Sequence, residues 1–165
     1  MGAAVVAAVV VVLVALGAVF GIVVPWLNAQ PVYRVVPLLP AVEVSGVVNE
    51  ALLASAVTHA VDELSAFGVW RRCEIEATVL RGVRVCVRPE VRWLDQGGQM
   101  VAGLTIKESR TLVVGTDLAA LCHELAHLVQ WDIERREEFG HETWTVRGIT
   151  SAVDAWQAWL KGAQT

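Results

Sequence analysis

Lysine is scarce in this chain of 165 residues: two of its 13 basic side chains are Lys and the rest are Arg. With a formal net charge of −4, a general polyanion binder is disfavoured, so nucleic acid is not expected as a partner. Cysteine is equally sparse. Cys73, Cys86 and Cys122 contain no CxxC pair, which excludes a zinc ribbon. Cys73 and Cys86 read either as a disulfide in an oxidising compartment or as buried free thiols. No Lys or Arg precedes Arg34, so the basic n-region of a secretory signal is missing. Proline is confined almost entirely to one stretch: Pro25, Pro31, Pro37 and Pro40 leave only Pro89 elsewhere.

What is present begins with a long apolar run. The hydrophobic share is 55%, above the usual range for soluble domains, and Gly2 to Val24 supplies most of the excess. At about 1.5 Å per residue a helix over this run spans roughly 34 Å, enough to cross a bilayer core. Trp26 suits the interface beyond it. A cleaved signal is the competing reading. The length of the run and Leu27, at a position that wants a small residue, favour a retained single-pass anchor in the lipid bilayer over residues 1–24. Arg34 alone gives little guide to which side of the membrane the remainder occupies. Gly17 and Gly21 form a GxxxG pair that permits homo- or hetero-oligomers through this helix.

Residues 25–45 read as a Pro-rich, semi-rigid stalk, although Val35, Val36, Leu38 and Leu39 can instead lie against the domain or the membrane surface. Residues 46–165 then form one domain. Ser45 is the expected N-cap of a helix reaching Phe67, with Val48, Leu52, Ala56, Ala60 and Leu64 on one face and Gly68 as its stop. His59 within it reads as a surface or packing residue rather than a ligand. Glu74 to Val87 alternates as two strands around Arg81-Gly82. Arg71, Arg72, Arg81, Arg84, Arg88 and Arg92 form either a solvated face or a surface for anionic lipid or nucleic acid. Gly97-Gly98 marks a loop. Leu104–Ile106 and Thr111–Val114 pair as a hairpin through Lys107–Arg110, and one of its strands is the candidate sheet edge for an extended peptide. Thr116 or Asp117 caps the following helix.

That helix carries LCHELAHLVQW, Leu121 to Trp131, in which His123, Glu124 and His127 form an HExxH motif. Residues four apart share a helix face. Two imidazoles therefore reach one cation, with the Glu124 carboxylate beside them to act as general base. Cys122 points away from that face. A catalytic zinc takes three protein ligands, and HExxH supplies two. Asp132 lies too near the end of the same helix to fold back, and Glu134–Glu138 reads as a solvated charged turn. His141 is the expected third ligand, opening an amphipathic helix with Trp144, Ile149, Val153, Trp156 and Leu160, and Glu142 is the alternative. Arg147 reads as a surface ion pair, with oxyanion stabilisation as its other possible role.

HELAH followed by a short loop and then His141-x-x-Trp144 resembles the SprT-like zinc metallopeptidases. The resemblance covers roughly residues 104–159. It implies a small α+β zincin-like domain, with His123, His127 and His141 as Zn2+ ligands, Glu124 as catalytic base, and Trp144 packing the third-ligand helix on the metal helix. Glu142 stands where that family has Gly, which keeps it open as a ligand. The family pattern also includes a C-terminal zinc ribbon and no membrane anchor. The expected activity is hydrolysis of peptide bonds in a peptide or protein substrate by a membrane-anchored hydrolase. The alternative is a non-catalytic structural subunit that keeps the zinc-binding fold.

Overall fold

Val42 and Val44, Val83 and Val85, and Leu112 and Val114 are buried residues on three successive strands, and they set the frame of the fold. The computed structural model describes residues 31–68, 70–89, 93–94, 100–135, 141 and 143–165. Its elements run β1 (Arg34–Val36), β2 (Leu39–Ser45), α1 (Glu50–Phe67), α2 (Arg72–Val79), β3 (Val83–Arg88), β4 (Trp93–Leu94), β5 (Met100–Val101), β6 (Gly103–Ile106), β7 (Thr111–Gly115), α3 (Leu121–Glu134) and α4 (Ile149–Ala163). The architecture is α+β. A five-stranded sheet has the order β1-β2-β3-β7-β6, and β4 and β5 pair separately. The expected anchor over 2–24, the loop at Gly97-Gly98, Glu137, Glu138 and the alternative ligand Glu142 lie outside the described residues. Among the described residues, no helix is long and apolar enough to cross a membrane.

The sheet is mixed, where a small antiparallel one was expected. β1–β2 and β6–β7 are antiparallel, whereas β2–β3 and β3–β7 are parallel. The cause is a helix in place of a strand. Residues 74–79, expected as the first arm of a hairpin, belong to α2, where Ile75, Thr78 and Val79 bury one helical face. The Glu74 carboxylate accepts from the Arg71 backbone N–H at 2.8 Å and caps it. The connection from β2 to β3 is therefore a helical crossover, which a parallel pair requires. β7, flanked on both sides, is buried along Thr111–Val114, as its unbroken apolar run fits.

Residues 34–45, expected within a stalk, form the first hairpin of this sheet. Val36, Val42 and Val44 enter the core, and Pro40 falls where the register between β1 and β2 slips, so its missing N–H removes no ladder bond there. Ser45 consequently ends a strand and does not cap α1. Asn49 does, its Oδ1 accepting from the N–H groups of Ala51 and Leu52 at 3.1 Å each. Gly68 ends α1 as expected, its N–H reaching Leu64 O at 3.0 Å.

α3 packs on β6 and β7 and on the other three helices. α1 and α4 are joined by Trp156, fully buried, whose indole N–H donates to Ala56 O at 2.9 Å. The turns ahead of α4 depend on Gly148. With φ of 75° at the N-cap, its Cα lies so close to the Phe67 carbonyl that a Cβ would sit 2.0 Å from that oxygen.

A candidate metal centre

α3 is placed by its apolar side: Leu121, Leu125, Leu128 and Val129 are buried in the main core. Its N-cap is Ala120 without a side-chain bond. Neither Thr116 nor Asp117, the expected caps, fills that position; Asp117 accepts from the Ala119 N–H at 3.1 Å one turn earlier. Spacing of four residues brings His123 and His127 onto one side, with their Nε2 atoms 3.2 Å apart. His141 comes from elsewhere. It precedes a series of turns over 143–148 rather than opening α4, which begins at Ile149. Its Nε2 lies 3.1 Å from that of His123.

The three imidazoles offer ligand atoms within 4.8 Å of one another, and the group can hold a metal ion. Tetrahedral zinc with Zn–N of about 2.0–2.1 Å separates neighbouring ligand nitrogens by roughly 3.3–3.4 Å, close to the two spacings seen here. Converging ring nitrogens are mutually repulsive when they all present lone pairs, and a cation removes that conflict. The donor set fits a metal.

Trp144 seats the cluster. Its ring centroid lies 4.8 Å from that of His123, 4.6 Å from His127 and 4.5 Å from His141. The indole is buried, and its N–H donates to Gln130 Oε1 on α3 at 3.2 Å. The backbone N–H of Trp144 also reaches His141 O at 3.0 Å. Arg147, on the same turn, makes an ion pair with Glu134 at the end of α3, with side chains only 17% and 14% exposed. That is a semi-buried clamp rather than a surface pair. Glu134 also accepts from the Trp70 indole at 2.8 Å, so it is no solvated turn residue. Asp132 pairs with Arg110 at 2.6 Å and stays off the metal group.

Glu124 is 6% exposed. Burial pushes its carboxyl up to about 7, against the opposing hydrogen bond from Thr105. Burial lowers His123 to about 4 and His127 to about 3, with neighbouring imidazoles adding to both and Lys107 to His127. Both rings are thus neutral near pH 7, the form that ligates metal. Lys107 itself lies over the Trp131 ring at 4.1 Å.

The remaining candidates lie apart. His59 stacks on Trp159 with centroids 4.3 Å apart and approaches Glu63 at 3.3 Å. The three cysteines are free, Cys73 exposed and the other two buried, so Cys73 and Cys86 are not bridged. Burial raises the Cys122 thiol, leaving it inert. Of the arginines, Arg72 pairs with Asp62 and Glu76, and Arg84 with Glu43. Sequence reasoning missed Gly103, Thr105, Gln130, Trp70 and the role of Glu134. Thr105 alone left a trace, lying within the expected strand Leu104–Ile106. Comparison of the chain with protein-family models, curated proteins and solved structures returns no match.

Proposed function

We propose that this chain is a zinc-dependent metallopeptidase of SprT-like, minimal-zincin type. The observation that supports it is the convergence of three imidazole nitrogens, two of them on the helix that also carries the buried Glu124 carboxylate. His123, His127 and His141 hold the ion. Zinc, when bound, supplies Lewis acidity toward the scissile carbonyl and makes water more acidic. Glu124 takes a proton from the attacking water and returns it to the leaving amine nitrogen as the C–O bond forms and the C–N bond breaks. Its elevated proton affinity suits both halves of that transfer near neutral pH. β6, at the edge of the sheet and against α3, offers backbone groups to an extended peptide, which adds as a further strand. Leu104 and Ile106 are exposed on β6, available to contact such a peptide. The apolar run over residues 2–24 anchors the protein in a bilayer.

The deciding experiment measures bound metal and cleavage of a labelled casein probe for the wild type and for Glu124→Gln, His141→Ala and Glu142→Ala. One zinc per chain, lost with His141→Ala and kept with Glu124→Gln, together with cleavage abolished by Glu124→Gln, is the expected result. Zinc without cleavage by the wild type makes the centre structural. Metal lost with Glu142→Ala instead reassigns the third ligand and weakens the SprT-like placement.

A further inference from the structure

We infer that Gly103 and Thr105 of β6 are positioning residues that seat the Glu124 carboxylate, an inference that rests on the peptidase reading above. Side chains two apart on a strand share a face. Leu104 and Ile106 are exposed, whereas positions 103 and 105 turn toward α3. Thr105 Oγ1 lies 2.7 Å from Glu124 Oε2 and 2.9 Å from the backbone carbonyl of the same residue. One hydroxyl thus contacts both the carboxylate and the helix that carries it. Threonine suits this post because its branched Cβ restricts χ1, so the hydroxyl is held in place before the carboxylate arrives.

Gly103 holds the other side. A Cβ there would sit 2.7 Å from Glu124 Oε1, 2.8 Å from its Cγ and 2.8 Å from Ala120 Cβ. The Glu124 side chain therefore occupies the space that any other residue at position 103 would fill. Oε2 is fixed by a hydrogen bond and Oε1 by contour, so β6 selects one orientation of a side chain that is otherwise free about three torsions. The strand proposed to receive the peptide also holds the base. Base and substrate share one reference surface, the arrangement that proton transfer in a set geometry requires.

The test uses the full chain in detergent, with Thr105→Val, Thr105→Ser and Gly103→Ala. Zinc content and the KM for labelled casein stay at wild-type values in all three. kcat falls by about 10-fold or more in Thr105→Val and Gly103→Ala, a fraction of the roughly 10²–10⁴-fold that a positioned acid–base group contributes. Thr105→Ser, which restores the hydroxyl, recovers most of the loss. A second readout needs no turnover: the side-chain carboxyl carbon of Glu124, in protein labelled with ¹³C at glutamate and assigned by its disappearance in Glu124→Gln. That resonance moves in Thr105→Val and returns in Thr105→Ser. An unmoved resonance, or a kcat loss that comes with lost zinc, overturns the seat. A wild type that cleaves nothing while the resonance still responds overturns the peptidase reading and leaves the seat standing.

Discussion

Arg147 and Glu134 form a two-pronged ion pair, Nη1 to Oε2 at 2.6 Å and Nη2 to Oε1, that fastens the turn behind His141 to the C-terminal end of the HExxH helix. His141, the proposed third ligand, has no helix of its own to hold it. Its placement depends on this clamp, on Trp144 packed under the imidazoles, and on Gly148, where the chain turns into α4.

Breaking the clamp should therefore be felt at the metal. Arg147→Met removes both guanidinium donors from the partly buried Glu134 carboxylate. The expected loss of stability is about 2 kcal/mol, below the 3–5 kcal/mol typical of a fully buried pair. Zinc affinity should fall along with it, because His141 is no longer held close to His123. Denaturant titration and competition with a zinc chelator, each with and without the substitution, measure the two effects. Unchanged zinc affinity would mean that Trp144 alone fixes His141.

Trp144→Ala should be more damaging. It removes a buried aromatic that touches all three imidazoles and leaves the Gln130 amide carbonyl without its indole donor. A large-to-small change of this kind costs roughly 3–5 kcal/mol. Trp144→Phe keeps most of the packing but not the donor, and should cost about 1–2 kcal/mol. Added zinc should recover a smaller share of Tm in the alanine variant than in the phenylalanine one. Differential scanning calorimetry in the presence and absence of zinc separates them.

The metal-free protein should have an asymmetric pH profile. His123 and His127 are lowered to about 4 and about 3 from the ordinary 6.5, so below about 6.5 the unfolded chain binds more protons than the folded one. Their stability is complete above that pH and is lost as pH falls toward 4. Glu124, raised to about 7 from 4.5, works the other way: it favours the folded state at acid pH and withdraws that support as pH rises through 7. Two histidines outweigh one carboxyl, so Tm should climb from pH 4 to about 7 and then level off. Glu124→Gln deletes the opposing contribution, and its Tm should climb more steeply between pH 5 and 7. A shallower climb in that variant would contradict the assigned direction for Glu124.

The parts of the site that follow from local spacing were legible in the sequence. His123, Glu124 and His127 are fixed by helical periodicity, and the β6–β7 hairpin follows from two short apolar runs four residues apart. His141 was reached by elimination among the acidic and imidazole side chains that follow the helix. What could not be read there is pairing between distant segments. Thr105 with Glu124, Trp70 with Glu134 and Trp156 with Ala56 have no local signature. Residues 74–79 were misread because Ile75, Thr78 and Val79 suit a strand by type and a helix by spacing, and packing against α1 and α3 decided the matter. The parallel pairing of β2 with β3 follows from that same helical crossover.

The hairpin β6–β7 is followed by α3, and this order divides the site into two parts along the chain. Glu124, its contacts on β6 and two of the three imidazoles lie between Gly103 and His127. His141 arrives from a later stretch, across the turns that lead into α4. A chain emerging N-terminus first therefore presents the proposed base and two imidazoles before His141. On the proposed zinc reading, metal binding would tie the C-terminal segment to α3, and zinc supply during synthesis should govern how much folded protein accumulates.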